Sequence, residues 1–181
     1  MTTIIIIAVI AVIVLWLVGA QRKLVSADEL CKNAMSQIGV QQNSRWDALT
    51  ALADLIKSYN EHEYKTIMDV IAQRTAVGRN SSAAEAAEQE AKISEALKQI
   101  NVVVEQYPEL KANDMYMRTM DSVNTYENQV RLSRMTYNDT VTKLNRMVRQ
   151  FPDNIAASIF GFKEKDYLAE PQGKTEMPSM R

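Results

Sequence analysis

Apolar residues follow two patterns along this chain, and each predicts a different kind of element. From Met1 to Ala20 the sequence reads MTTIIIIAVIAVIVLWLVGA, with no charged side chain and no polar face. As a helix rising about 1.5 Å per residue it covers roughly 30 Å, the thickness of a bilayer's hydrocarbon core. Lipid obliges every backbone group to bond internally, so even four successive isoleucines read as a membrane-spanning helix there. Trp16 falls near the far end, where an indole favours the interface, and Gln21, Arg22 and Lys23 close the segment. A cleavable signal peptide would need positive charge ahead of the apolar run, and Thr2-Thr3 supplies none. Val18-Gly19-Ala20 does offer the small residues of a cleavage site.

Beyond Lys23 the pattern changes to a spacing of three and four. Leu24, Ala27, Leu30 (or Cys31), Ala34 and Ile38 make one stripe, and Trp46, Leu49, Leu52, Ala53, Ile56, Tyr59, Ile67, Val70 and Ile71 make the next. Gly39 lies between them, where a helix bends or bears a modest propensity cost. The spacing predicts one long helix over Leu24–Val77, straight or kinked. Gly78-Arg79-Asn80-Ser81-Ser82 reads as a loop in which Asn80 or a serine caps the following helix. That helix is expected over Ala83–Gln106, with Ala87, Ala91, Leu97, Ile100 and Val104 inward. Tyr107-Pro108 ends it, because a residue before proline avoids the α region. Asn113 or Asp114 then caps a last helix that runs to about Gln150, with Met117, Met120, Val123, Tyr126, Val130, Tyr137, Val141, Leu144 and Val148 as its stripe.

Three amphipathic rods joined by short turns can bury their faces only against one another. The expected fold is therefore all-α: an N-terminal transmembrane helix followed by an antiparallel bundle of long helices, three long rods or four helices if the first is kinked. The expected organisation is an anchor over residues 1–21, a helical bundle over 22–162 and a flexible C-terminal tail over 163–181. Pro171, Gly173 and Pro178 interrupt the tail, which has no apolar period.

Composition sharpens this in a few places. The 181 residues carry 21 Lys and Arg against 22 Asp and Glu, which argues against a nucleic-acid binder driven by bulk positive charge. One Cys and one His leave neither a disulfide framework nor a Cys/His zinc cluster. No glycine-rich phosphate loop is present, and His62 is the sole imidazole available to a Ser-His-Asp site. The chain is expected to be no enzyme and to need no cofactor or metal. Positive charge lies only on the C-terminal flank of the anchor, which places the N-terminus outside and the helical domain in the cytoplasm. There Cys31 would stay reduced, as a small packing residue.

Residues 107–168, YPELKANDMYMRTMDSVNTYENQVRLSRMTYNDTVTKLNRMVRQFPDNIAASIFGFKEKDYL, closely resemble the LemA family, bacterial proteins with a short membrane anchor and a helical domain. The resemblance rests on Tyr107–Asn113, Glu127-Asn128, Arg134, Tyr137-Asn138, Val141, Asn145, Phe151-Pro152, Ala157 and Gly161-Phe162. Upstream, Arg45–Leu49 with Lys57, Tyr59, His62 and Glu63 looks like the family's other block. Thr50 and Ala51 stand where the family commonly has proline and asparagine, which favours a straight helix here. The resemblance implies an anchored helical bundle and brings no catalytic residues with it.

Two groups of residues remain as candidate sites. Glu127, Arg131, Arg134, Asn138 and Asn145 recur at three, four and seven on one side of the last helix. They read either as a structural polar network, helped by Asp47, His62 or Glu63 of a facing helix, or as an anion site lined by two arginines. The uncharged stretch Ile155–Phe162 docks Phe160 or Phe162 across the bundle end or offers Ile155, Ile159, Phe160 and Phe162 as an interaction or assembly surface, against the membrane or a partner subunit. The function expected from all this is a single-pass membrane-anchored scaffold acting through protein contacts or self-assembly, its partners the membrane, further copies of itself, and other membrane or envelope proteins. The alternative is an envelope sensor or signalling accessory that binds a small anion or lipid headgroup on the arginine-bearing face.

Overall fold

The computed structural model describes residues 1–169. Its elements in chain order are α1 (Thr2–Lys57), α2 (Glu61–Ile71), α3 (Ala83–Gln106), α4 (Pro108–Lys111), α5 (Asp114–Arg149) and α6 (Asp153–Phe160), with no strand among the described residues. The fold is the expected all-α antiparallel bundle on a long apolar N-terminal helix. The first rod differs from expectation: α1 runs unbroken through Gly39 and then stops at Lys57, short of the expected Val77.

Both halves of that difference have local causes. At Gly39 a Cβ would lie 1.9 Å from the carbonyl oxygen of Val77, so glycine is there to let the α2–α3 connection lie against the helix. Thr50 closes its hydroxyl onto the Trp46 carbonyl at 2.9 Å, and the helix continues through it. Past Ile56 the apolar stripe has few core residues until Ile67. In that gap the Asn60 side chain accepts from the backbone N–H groups of His62 and Glu63, which starts a new helix in place of continuing the old one. Residues 72–82 are then non-helical and pass back along α1. Arg74 meets Asp47, Val77 meets Gly39, and Arg79 meets Glu29. A capping box between Ser82 and Glu85 opens α3.

α3 begins at Ala83 and ends at Gln106, as the sequence predicts, but its buried face is Ala86, Gln89, Ile93, Ala96, Ile100 and Val103 with Val104. Ala87 and Ala91, expected inward, are exposed, and the inward face of the first half runs through Ala86, Gln89 and Ile93 instead. Asn113 caps α5 through the N–H groups of Met115 and Tyr116, and α5 returns antiparallel to α1 over most of the bundle.

The interior falls into two apolar clusters. The basal one holds Ala20, Leu24, Cys31, Met35 and Ile38 of α1 with Tyr137, Val141 and Leu144 of α5 and Ala156 and Ala157 of α6. The distal one holds Trp46, Leu49, Leu52 and Ile56 with Ile67, Ile93, Ile100, Leu110 and Val123. Between them lies a buried polar layer of Gln42, Arg45 and Gln89. Thr2 to Leu15 lie outside the bundle with every residue exposed, while Trp16 and Leu17 already pack against the basal cluster. α1 is long and apolar enough in this first part to cross a membrane.

Candidate functional site

Three features of the bundle gather polar groups: a clamp on the C-terminal segment, the buried mid-rod layer, and two clefts between α1 and α5.

The clamp is built by α5. Asn145 donates from Nδ2 to the Lys165 carbonyl at 2.9 Å and accepts from the Lys165 N–H at 2.9 Å. Asn138, two turns earlier, makes the same pair of bonds with Leu168, both at 2.9 Å. A side-chain amide offers one donor and one acceptor in the arrangement of a peptide group, so each Asn pairs with the segment as a neighbouring strand would. Tyr137 donates to the Asp166 carbonyl at 3.2 Å, and Arg134 donates to the Ala169 carbonyl. Two ion pairs finish the attachment, Lys165 to Asp28 of α1 at 3.0 Å and Glu164 to Arg149 at 3.3 Å. Leu168 is buried in the basal cluster. Residues 163–169, expected to be part of a flexible tail, are thus held along the α1–α5 groove; 170–181 lie outside the described residues.

Burial and charge tune these groups. Burial raises the Tyr137 hydroxyl to about 12, with smaller contributions from Cys31 and Asp166. Burial alone would raise Asp28 too, yet the ammonium groups of Lys32 and Lys165 hold it below the ordinary carboxylate range. Cys31 is buried, and desolvation keeps its thiol protonated above the usual value, so it is a packing residue with little thiolate character.

In the mid-rod layer Arg45 is 2% exposed and forms an ion pair with Glu90 of α3. Gln42 donates to both Glu90 and the Ala86 carbonyl, at 3.3 Å and 3.0 Å. Gln89 accepts from the Thr75 N–H at 2.8 Å. None of these four was expected as a site. Arg45 stands four residues before Leu49 and seven before Leu52, in phase with the buried stripe, and that phase is the signal that places it inside.

Several of the residues expected to form one network find partners elsewhere. Asp47 is exposed and pairs with Arg74 at 3.2 Å. His62 is exposed, and its bond to Asn60, like Glu63's, runs through the backbone N–H. Glu127 is half-buried and Arg131 exposed on α5, while Arg134 and Asn138 turn to the C-terminal segment. Arg134, Asn138 and Asn145 of this face thus bind backbone of the C-terminal segment. On α6 the docked residues are Ala156 and Ala157. Phe162 packs half-buried against the basal cluster, and Ile155, Ile159 and Phe160 are exposed.

The first cleft, about 350 Å³, lies at the distal half between Ser44, Asp47 and Ala48 of α1 and Arg118, Ser122 and Tyr126 of α5. The second, about 410 Å³, lies at the base. Arg22, Lys23, Ser26, Ala27 and Leu30 of α1 line it with Thr140, Lys143 and Met147 of α5. Among the described residues, no cluster of three or more His, Cys, Asp or Glu side chains is placed to hold a metal ion.

Comparison with known proteins places these features in a family context. The family model described as the LemA family matches residues 34–181. Protein LemA of Metamycoplasma hominis is 23% identical over 141 residues, covering 77% of this chain and 64% of that protein. Magnetosome protein MamQ 2 of Paramagnetospirillum magneticum is 36% identical over 81 residues, 44% of this chain and 30% of that protein. Magnetosome protein MamQ of Magnetospirillum gryphiswaldense is 32% identical over the same length and the same shares. The matched stretch is thus less than a third of either magnetosome relative's own length.

Proposed function

The chain belongs to the LemA family, and from that premise we propose that it is a single-pass, membrane-anchored, non-enzymatic scaffold that works through protein contacts and self-assembly. The observation that carries the reading is α1, one unbroken helix of 56 residues that is both the candidate span and the central rod of the bundle. A rod without a joint ties the position of every contact surface to the bilayer. From Ala20 to Lys57 it reaches about 55 Å at the helical rise. Retention of the span is supported by the packing, because Trp16, Leu17 and Ala20 belong to the basal core and removal of a leader through Ala20 would open it.

In this reading the bundle faces the cytoplasm, since Arg22 and Lys23 flank the span on that side. A second copy packs on the outer face of α5, where Leu132 and Met135 stand one turn apart, 51% and 61% exposed. Light scattering on the full chain in detergent tests the assembly: a mass above the monomer is expected, reduced by Met135→Asp. A monomer at every concentration would overturn self-assembly. Protease added to intact spheroplasts tests the orientation, with a C-terminal epitope expected to survive until detergent is added.

A further inference from the structure

The base of the bundle combines two features that the scaffold reading leaves unused. α6 buries Ala156 and Ala157 and turns the rest of its apolar surface outward: Ile155 is 46%, Ile159 61% and Phe160 45% exposed, and Phe151, just before the helix, is 80% exposed. Ile155 and Ile159 are one turn apart and share a face. Between α1 and α5 at the same end lies the basal cleft, lined by Arg22, Lys23 and Lys143, the hydroxyl residues Ser26 and Thr140, and the apolar Ala27, Leu30 and Met147.

Position decides what covers these surfaces. Met147, near the end of α5, shares a cleft with Arg22 and Lys23, and α6 begins six residues later and packs on both α1 and α5, so it starts close to the level where the candidate span ends. Packing begins within the last turn of that span, with no stalk between lipid and bundle. An apolar helix face at that depth meets the boundary between headgroups and acyl chains, the environment that stabilises interfacial helices. Charge points the same way. The nearby carboxylates Asp28 and Glu29 are already engaged, by Lys32 with Lys165 and by Lys32 with Arg79. Among the described residues Arg22, Lys23 and Lys143 have no carboxylate partner.

We propose that the base of the bundle is a lipid-binding foot: α6 lies in the interface of the adjoining leaflet, and the Arg22/Lys23/Lys143 cleft takes the phosphate of an anionic phospholipid whose chains run down beside Trp16. Cations supply the headgroup's counter-charge, the hydroxyls donate to its oxygens, and the apolar lining residues meet its glycerol and upper acyl carbons. The foot rests on the membrane-anchored reading of α1. It gives the rod a second contact with the bilayer and so fixes its tilt and rotation.

The test uses the full chain in liposomes of phosphatidylcholine with or without phosphatidylglycerol. A nitroxide at Ile159→Cys is expected to be accessible to oxygen and shielded from an aqueous nickel complex, whereas one at Asn124→Cys, on the exposed middle of α5, shows the reverse. Native Cys31 is buried and leaves the introduced thiol the reactive one. In mixed vesicles, brominated phosphatidylglycerol is expected to quench Trp16 in preference to brominated phosphatidylcholine. Lys143→Gln, which lies outside the span's own flank, lowers that preference about fivefold, the size expected for one interfacial cation. Lys111→Gln, at the far end of the bundle, leaves it unchanged. A nitroxide at 159 open to water, one shielded from both reagents by a second copy, or a preference insensitive to Lys143→Gln overturns the foot. Loss of the preference to excess inorganic phosphate overturns its lipid assignment. Alkaline carbonate separates the two readings: a chain released into the supernatant refutes the anchor itself, while one that stays in the pellet with an aqueous position 159 refutes only the foot.

Discussion

Removing one amide from α5 tests whether the C-terminal segment is held by the two asparagines or merely rests on the apolar groove. Asn145 is 2% exposed and makes two bonds of 2.9 Å to the backbone of Lys165. Each is worth about 1 kcal/mol net, and a buried N–H or C=O left without a partner costs a further 1–3 kcal/mol or so. The chain can escape the second cost by peeling residues 163–169 into water, which forfeits the burial of Leu168 and the Lys165–Asp28 pair instead. The cheaper route sets the loss, about 2–3 kcal/mol for Asn145→Ala. Hydrogen exchange reads this locally. The Lys165 and Leu168 amides should exchange roughly 30- to 150-fold faster, the same free energy at about 1.4 kcal/mol per tenfold. Amides at Leu52 and Val123, in the distal core, should change far less. Asn145→Asp is the sharper variant: it keeps an acceptor for the Lys165 N–H but sets a carboxylate against the Lys165 carbonyl, so it should lose nearly as much as alanine. Unchanged protection at Lys165 in Asn145→Ala, or wild-type protection in Asn145→Asp, would refute the clamp.

Gly39→Ala should destabilise by about 2 kcal/mol or more, because the clash with the Val77 carbonyl outweighs the roughly 1 kcal/mol of helix propensity gained. Gly19→Ala, which meets nothing within 4 Å, should show no loss in the same denaturant titration. Arg45→Ala should cost about 3 kcal/mol by leaving the Glu90 carboxylate without its counter-charge, with only the neutral Gln42 amide still donating to it, and Arg45→Met with Glu90→Leu should recover most of it in the same assay; a double variant no better than the single would refute the pairing. Because Tyr137 is raised to about 12 in the fold, its neutral form stabilises below its ordinary value near 10, and stability falls as pH rises from about 10 to 12. Thermal melts across that window should show a slope that Tyr137→Phe flattens. For Asp28 the sign is opposite: its lowered value adds stability above the ordinary carboxylate range, lost as acid protonates it, so Asp28→Asn should melt with less acid dependence than wild type.

Where the sequence was legible, one physical signal dominated. The apolar run over Thr2–Leu15, the ends of α3 at Ser82 and Tyr107, and the cap of α5 at Asn113 each follow from composition, a capping side chain or proline. Where two signals compete, the reading slipped. The start of α3, AAEAAEQEA, offers alanines on several faces, and only the fit of Ala86 and Gln89 to the polar layer chooses between them. The break after Lys57 comes from Asn60, whose side chain outbids the helix at a place with little apolar surface to hold it straight. The C-terminal segment was unreadable for another reason. An extended stretch held by side chains carries no period of its own, and Asn138 and Asn145 look like partners for charge until the backbone they bind is in view.

The same residues explain why so repetitive an α1 docks in one place. Along Leu24–Ile38 and Leu49–Ile56 its stripe is alanine, leucine and isoleucine, with Cys31 and Met35, at nearly uniform spacing, so sliding α5 or α3 by one or two turns would bury similar apolar area. Polar contacts are less forgiving, because a misplaced charge or amide is left unpaired. Arg45 with Glu90 and Gln42 with the Ala86 carbonyl fix α3 against α1. The C-terminal segment, bonded to Asn138 and Asn145 on one side and through Lys165 to Asp28 on the other, fixes α5 against α1. Gly39 accepts the Val77 carbonyl at one register only. Apolar burial drives the rods together, and these few polar and steric matches select the alignment that brings α6 level with the end of the apolar span.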